Sequence, residues 1–255
     1  MKRIIMGMVL GGATISSWAA CNYDFDATQA QVSSVMPGLN VTKMTNLSKS
    51  KVQAIVSSTS GTDFFVAMSS DIATKKQVLL NNNSYALPVG DLIIPTSGVL
   101  VYEYELKAPI NLNSGEKITV GPLFGVGTSG SSGSSGVLVA NYEQSTVGVS
   151  GYNNAQITDN QVYSSTGTGV NRIGIYFDQT AKQWGTIING INKGYIGTLN
   201  HAVDNYSFQF SVGISGVSTT STSIGKVVSL ELITDKNQFQ FTYPSGAKDI
   251  CGNTI

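Results

Sequence analysis

Apolar and polar residues alternate with a period of two along much of this chain, which restricts it to strands that bury one face. The clearest example is the segment 98–107, GVLVYEYELK, whose polar face carries Glu103 and Glu105. The segments 206–214 and 228–232 repeat the pattern. Because no helical period of similar strength occurs in the sequence, the pattern favours an all-β protein.

Shorter apolar runs between glycine- and asparagine-rich turns predict further strands. They span residues 52–56, 64–68, 78–80, 118–126, 137–141 and 172–177, and a final hairpin places Phe239, Phe241 and Tyr243 after a turn at 235–237. Only 27–36 and 69–76 are expected to hold a turn or two of helix, and 145–171 is expected to be rich in loops. About ten strands at short spacing predict one domain built as a two-sheet antiparallel β-sandwich.

Charge and residue usage exclude several functional classes. Charged residues make up 12% of the chain, about half the usual share of roughly 25%. Lys and Arg together number 15, as do Asp and Glu, so the basic surface that nucleic-acid binding requires is not expected. One His and two Cys are too few for most His/Cys metal sites and most catalytic triads. His201, close to Asp204, is interpreted as a surface histidine in a turn.

Residues 1–20 have the pattern of a secretory signal peptide. Lys2 and Arg3 supply the positive start, residues 4–15 are apolar, and the small residues Ser17 and Ala19 lie where a signal peptidase reads. The apolar run is shorter than the ~20 residues that a membrane span needs. We therefore expect an exported protein, periplasmic or extracellular, whose single domain is 21–255 and which keeps no transmembrane segment.

The two cysteines allow two different modifications. Cys21 follows the predicted cleavage zone and Cys251 lies near the other end, so an oxidising compartment would allow a Cys21–Cys251 disulfide. Alternatively, Ala19-Ala20-Cys21 fits the last positions of a lipoprotein cleavage motif, and Cys21 would then carry a lipid anchor. The anchor leaves Cys251 as an odd thiol, which favours the disulfide.

The best organised segment spans residues 172–214. A strand that ends at Asp178 is followed by a loop, a return strand that begins at Trp184, and the Asn189-Gly190 pair, which is a strong hairpin signal. This order resembles the core of concanavalin A-like sandwiches, especially their SPRY-type and laminin G-type branches. The matching positions are Gly174, Asp178, Gly185, Thr186, Ile187, Asn189, Gly190 and Gly194.

The resemblance implies a two-sheet antiparallel jelly roll, which often binds glycans or peptides and less often hydrolyses polysaccharides. The whole chain also resembles a family of secreted gram-negative bacterial proteins of unknown function. Because one fold serves many functions, the function has to be argued from individual residues.

Glu103 and Glu105 are the acidic pair with a spacing suited to catalysis. At positions i and i+2 of one strand they are expected on the same face, about 7 Å apart at their Cα atoms. Jelly-roll glycosidases use two such carboxylates, but they typically have a third one on that face, which is missing here. The other interpretation is a solvent-facing strand whose two Glu side chains keep the protein soluble.

Aromatic and acidic turn residues supply the remaining candidates. Trp184, with Tyr176 and Tyr195, could form a platform for a sugar ring, although packing between the sheets explains Trp184 at least as well. Asp178, Asp235 and Asn237 could bind calcium, since their oxygens suit that ion. Turn chemistry, in which Asx side chains bond the backbone, explains them equally well.

Three hypotheses about function remain open. The first is an exported module that binds a glycan or a peptide without catalysis. The second is a structural or adhesive surface protein, which the low charge and the Ser/Thr/Gly/Asn-rich composition also fit. The third is a glycoside hydrolase that uses Glu103 and Glu105. No cofactor is expected apart from calcium.

The sequence predicts that the exported protein has no free thiol. Peptide mapping without reduction should yield a Cys21–Cys251 cross-linked pair, because both cysteines enter an oxidising compartment. A lipid-modified Cys21 together with an alkylatable Cys251 would contradict this prediction.

Overall fold

The computed structural model of the chain describes residues 23–84, 89–109, 112–125, 135–140, 146–153, 156–164, 168–199 and 202–255. The predicted signal peptide, Cys21 and His201 lie outside the described residues. The export signal and the Cys21–Cys251 disulfide therefore stay predictions. Among the described residues, no helix combines the length and the apolar character that crossing a membrane requires.

Strands form about half of the described structure, which also has two short α-helices and a 3₁₀ turn. The helices are α1 (Gln29–Ser34) and α2 (Ser70–Asn81), and the 3₁₀ turn is Lys236–Gln238. The first strands are β1 (Val41–Lys43), β2 (Thr45–Asn46), β3 (Lys51–Ile55), β4 (Thr62–Met68), β5 (Leu92–Ile93), β6 (Val99–Lys107), β7 (Lys117–Gly125) and β8 (Ser135–Ala140). They are followed by β9 (Thr146–Asn153), β10 (Gln156–Ser164), β11 (Val170–Asp178), β12 (Gln183–Ile188), β13 (Ile191–Thr198), β14 (Asn205–Ser215) and β15 (Val227–Ile233).

Two large sheets face each other across the core. The five-stranded sheet has the order β1-β4-β14-β5, with β7 also paired to β14, and the seven-stranded sheet has the order β13-β12-β11-β6-β15-β3-β2. A smaller sheet contains β10, β9 and β8. Among the described strands, every pair is antiparallel except β1 with β4. The predicted all-β, two-sheet antiparallel sandwich is confirmed.

Aromatic side chains from both sheets fill the space between them. Tyr102 from β6 meets Phe208 and Tyr206 from β14, with ring centroids 5.2 and 5.6 Å apart. The hydroxyl groups of Tyr102 and Tyr206 are hydrogen-bonded at 2.7 Å, so these phenol groups find partners inside the core. Burying a side chain of this size contributes about 1.5–3 kcal/mol.

The outer faces of the two sheets are covered differently. On the five-stranded sheet, Val66 and Met68 point outward from β4 and pack against Val32, Ile72 and other residues of the two helices. On the seven-stranded sheet, residues 236–255 cross the outer face, and we call this segment the C-terminal cap. The cap packs on Val101, Tyr176 and Ile187.

The Asn189-Gly190 hairpin is confirmed, because both residues adopt positive φ angles of 50° and 84° between β12 and β13. The strand predicted at 78–80 is wrong, since these residues belong to α2. The helix is capped by Ser69 Oγ, which accepts the amide of Ile72 at 3.1 Å. The loop predicted at 145–171 is also wrong, because most of it forms β9 and β10.

The predicted hairpin between β15 and residues 239–243 is wrong for a topological reason. Both edges of β15 are occupied, one by β3 and the other by β6, so no edge remains for a following strand. The chain instead leaves the sheet plane through the 3₁₀ turn and crosses the outer face. Lys248 then returns to β6 and pairs with it beyond the end of β15, where the amide of Val101 donates to the Lys248 carbonyl at 2.8 Å.

Asp91 belongs to a polar cluster that connects the N-terminal segment to the start of α2. Tyr23 Oη and Ser69 Oγ each donate to Asp91 Oδ2 at 2.5 Å. Burial raises the pKa of Asp91, and the carboxylate of Asp71 raises it further, while the two hydroxyl groups act in the opposite direction. Tyr23 Oη also accepts the amide of Phe208 at 3.0 Å.

Replacing Asp91 by Asn is expected to raise the Tm at neutral pH by about 2–4 °C. The folded-state pKa of Asp91 lies above its unfolded value, so the stability that its protonated form provides is lost as pH rises through the folded pKa. An amide stays neutral and still accepts the two hydroxyl groups.

Thermal unfolding of D91N and the unaltered protein across pH is the measurement, with the ionisation of Asp91 as the only intended difference. The gap in Tm should shrink toward about pH 4, near the ordinary aspartate pKa. A gap that stays constant or widens at acidic pH would show that Asp91 does not titrate as inferred.

Candidate ligand-binding groove

Glu103 is fully buried beneath the C-terminal cap, and both of its carboxylate oxygens accept hydrogen bonds. Oε1 accepts the amide of Phe241 at 3.0 Å and the hydroxyl of Tyr243 at 3.2 Å. Oε2 accepts Nε–H of Arg172 at 2.7 Å, and the amide of Gln240 lies 3.1 Å from both oxygens. A carboxylate removed from water is stable only with such partners, so Glu103 fixes the cap to the sheet.

Arg172 holds the cap from the neighbouring strand. Its side chain is 10% exposed, and Nη2 donates to the carbonyl of Gln238 at 2.8 Å while Nε is paired with Glu103. The ion pair therefore contacts the cap through the backbone of residues 238, 240 and 241. These three contacts depend on the path of the chain, and the hydroxyl of Tyr243 adds one contact from a side chain of the cap.

Two glycines make room for the aromatic side chains above the seven-stranded sheet. A Cβ atom on Gly174 would collide with the hydroxyl of Tyr243 and lie 2.8 Å from Cδ2 of Phe241. A Cβ atom on Gly185 would collide with the ring of Tyr176. Close approach of another group to the backbone is a common reason for glycine within a strand.

The cap encloses a groove of about 430 Å³. Its lining combines three half-buried aromatic rings with polar side chains; the lining residues are Lys236, Asn237, Phe239, Phe241, Thr242, Tyr243, Thr254 and Ile255. This volume falls within the roughly 300–1,000 Å³ that is typical of small-ligand sites. The lining therefore offers both apolar rings and several hydrogen-bonding groups.

Hydrogen bonds within the chain engage two of the polar residues that line the groove, Lys236 and Asn237. Lys236 Nζ donates to the carbonyl of Thr254 at 2.9 Å and so joins the beginning of the cap to its end. Asp235 Oδ1 accepts both the amide N–H and the side-chain Nδ2 of Asn237, at 2.9 and 2.8 Å. These contacts orient both side chains at the groove.

The predicted aromatic platform is divided between the core and the outer face. Trp184 lies between the sheets and is 1% exposed, so its indole ring is a packing element. Tyr176 is buried on the outer face, where its hydroxyl donates to Asn192 Oδ1 at 3.0 Å, and burial raises its pKa to about 12. Tyr195 lies beside it and is 43% exposed.

Two of the predicted calcium ligands, Asp178 and Asp235, act as acceptors in turns, and the third, Asn237, donates to Asp235. Asp178 Oδ1 accepts the amides of Thr180 and Ala181 at 3.0 and 2.8 Å, and Asp235 caps the 3₁₀ turn through Asn237. Within the described part of the chain, no group of three or more His, Cys, Asp or Glu side chains is placed to hold a metal ion.

Glu103 and Glu105 do not form an open carboxylate pair, which corrects the expectation of a solvent-facing strand. The cap covers Glu103, whereas Glu105 is half-buried and lies in register with Arg172 on β11 and Glu231 on β15. Glu231 is paired with Lys51 Nζ at 2.6 Å. The covering of the outer face could not be inferred from the strand pattern, because it is made by residues distant in sequence.

Apart from Asn237, the residues that line the groove were not among the predicted site residues. Phe239, Phe241 and Tyr243 alternate with polar residues, and this period of two predicted a strand whose aromatic face is buried. The signal that could have indicated the groove is this aromatic run together with two glycines, Gly174 on β11 and Gly185 on β12, which leave space on the outer face. Lys236 and Thr254 carry no signal of their own.

Comparisons with known proteins give one family model and several distant structures. Residues 140–253 match the model described as Domain of unknown function (DUF4882), a range that contains Arg172 and nearly all of the cap. No curated protein matches the chain.

Three solved structures illustrate the structural similarity. A native glycosidic hydrolase is 13% identical with a TM-score of 0.33, and the match covers 52% of this chain and 61% of that one. The Bacillus licheniformis β-glucanase is 10% identical with a TM-score of 0.37 and coverages of 71% and 74%. Alginate lyase A1-II′, of polysaccharide lyase family-7, is 13% identical with a TM-score of 0.36 and coverages of 55% and 62%. The chain thus spans less than two thirds of the hydrolase and of the lyase.

Replacing Glu103 by Gln is expected to destabilise the fold by about 3 kcal/mol, because it leaves Arg172 buried without its counter-charge. The side-chain amide of the E103Q variant would also point its N–H groups at the N–H and O–H donors of the cap, so at least one of these donors would lose its acceptor. Urea unfolding gives the free energy, and limited proteolysis shows whether the cap is released first.

Glu105→Gln is the matched control on the same strand face, and it should change the free energy of unfolding by less than about 0.5 kcal/mol. Equal stability of the two variants would show that Glu103 does not hold the cap.

Proposed function

We propose that this chain is an exported, non-catalytic binding module that recognises a glycan in the groove of the C-terminal cap. The observation that carries the proposal is the groove itself, with Phe239, Phe241 and Tyr243 beside the side chains of Asn237 and Lys236. Partly exposed aromatic residues in a concave site are the usual anchors of a binding surface.

The groove suits the chemistry of a sugar. A pyranose ring has an apolar C–H face, which packs on an aromatic ring, and a hydroxyl edge, which needs both donors and acceptors. The aromatic rings of the groove match the apolar face, and the amide, hydroxyl and ammonium groups of Asn237, Thr242 and Lys236 match the hydroxyl edge.

A peptide fits the groove less well. Extended peptides are commonly bound through free backbone groups at a strand edge. Here the amides of Gln240 and Phe241 already donate to Glu103. Lys248 pairs with the part of the β6 edge that β15 does not cover. These observations favour a glycan over a peptide as the ligand.

The two other hypotheses have less support from the described residues. A hydrolase that uses Glu103 and Glu105 needs a carboxyl group that reaches the substrate, and Glu103 is buried with both oxygens engaged. A structural or adhesive role fits the composition, but it does not require an organised groove. Export is part of the proposal and is supported by the signal pattern of residues 1–20.

Replacing Phe239 by Ala is expected to weaken glycan binding at least about tenfold, since it removes an aromatic wall of the groove. The purified protein is first screened on a broad glycan array with and without calcium, and the strongest ligand is then titrated by calorimetry. Phe64→Ala is the matched control, because Phe64 is an exposed aromatic residue on β4, outside the groove.

Binding that F239A loses and Phe64→Ala keeps supports the proposal, provided that both variants retain their Tm. A glycan that both variants bind equally places recognition outside the groove and contradicts it. Absence of binding to every glycan, with or without calcium, contradicts the proposed function altogether. Calcium-dependent binding would point to the loops of Asp178 and Asp235.

A further inference from the structure

The groove continues into a strip of aromatic rings across the seven-stranded sheet. Tyr243 lies 6.3 Å from Tyr176, and Tyr176 lies 5.2 Å from Tyr195, measured between ring centroids. Phe239 extends the strip at its other end, 6.1 Å from Tyr243. These are edge-to-face contacts, so the rings form one continuous row from the groove toward β13.

The strand register places the strip on one face of the sheet. Tyr195 on β13 pairs with Gly185 on β12, Gly185 with Tyr176 on β11, and Tyr176 with Val101 on β6. Residues paired directly across neighbouring strands share a face. The cap lies on Val101 on that face, so Tyr195 and the groove open on the same side of the molecule.

Gly185 is the residue that makes the strip continuous. A side chain at this position would occupy the space in which the ring of Tyr176 lies. Tyr176 therefore bridges from the cap to Tyr195 and remains buried itself, 2% exposed. The exposed end of the strip is Tyr195.

Tyr195 contacts its neighbours on one side and solvent on the other. Its hydroxyl is 3.4 Å from Asp178 Oδ2, and its ring meets Tyr176 at an angle of 69°. An exposed tyrosine ring contributes contact area to a ligand at a low cost in conformational entropy, because its side chain has few torsions to order. Because Tyr195 is 43% exposed, a large part of its ring is accessible to a ligand.

We infer that Tyr195 forms an outer subsite, and that the ligand is therefore a polysaccharide chain of several sugar units rather than a single terminal sugar. This inference rests on the proposed glycan-binding function of the groove. The groove holds one part of the chain, and Tyr195 packs against a sugar unit farther along it. Tyr195 then determines the preference for chain length without being needed for binding itself.

The test uses cello-, chito- and manno-oligosaccharides from the monosaccharide to the hexasaccharide, titrated by calorimetry. For the unaltered protein, affinity should rise with chain length. Tyr195→Ala should bind the longest chain about tenfold more weakly and the shortest binding ligand equally well. Tyr195→Phe is the control that keeps the ring and loses the contact with Asp178, and it should retain most of the affinity for long chains.

Each alternative outcome is distinguishable. If affinity does not rise with chain length, or rises equally in Tyr195→Ala, the outer subsite is overturned while the groove proposal stands. If Tyr195→Ala weakens the short ligands as much as the long ones, Tyr195 belongs to the groove itself and the outer subsite is again overturned. If no oligosaccharide and no arrayed glycan binds, the proposed function fails and this inference fails with it.

Discussion

The buried carboxylate of Glu103 is the interaction on which the functional face of this protein depends. It carries a negative charge at a position without access to water, and its partners come from Arg172 on the next strand and from the backbone and Tyr243 of the cap. The cap shields this ion pair from water and gives Glu103 the amides of Gln240 and Phe241 and the hydroxyl of Tyr243 as further partners. The sheet and the cap are therefore coupled, and the groove exists only while the cap is in place.

The outer face of the seven-stranded sheet is shaped by two glycines, which lack side chains, as well as by the aromatic residues that cover it. Gly174 and Gly185 leave depressions in which Tyr243 and Tyr176 lie, so aromatic rings come close to the sheet surface. The strand order also contributes, because β3 and β6 occupy both edges of β15 and direct the chain out of the sheet plane. The result is a layer of aromatic side chains over a polar network, with a groove along one side.

Several features could be predicted from the sequence because they depend on neighbouring residues. The alternation in β6 and β14 identified strands, and Asn189-Gly190 identified a two-residue hairpin whose positive φ angles the structure shows. The wrong predictions have a common cause, which is that residues outside each segment decide its structure. Residues 78–80 looked like a strand in isolation but continue a helix that Ser69 caps, and 239–243 had the period of a strand but no edge to join. The role of Glu103 was missed because its partners lie about 70 and 140 residues away.

The sequence by itself determined the all-β class, the sandwich architecture, most of the strands and the positions where turns occur, since period and turn chemistry act over a few residues. Only the tertiary structure decided which face of β6 is covered, that Glu103 is an internal anchor rather than a member of an open acidic pair, and that Trp184 lies in the core. The tertiary structure also brought Phe239, Tyr243, Tyr176 and Tyr195 onto one face. The physical reason is that a strand pattern distinguishes two faces but does not specify what packs on either of them, which strand order and long-range hydrogen bonds decide.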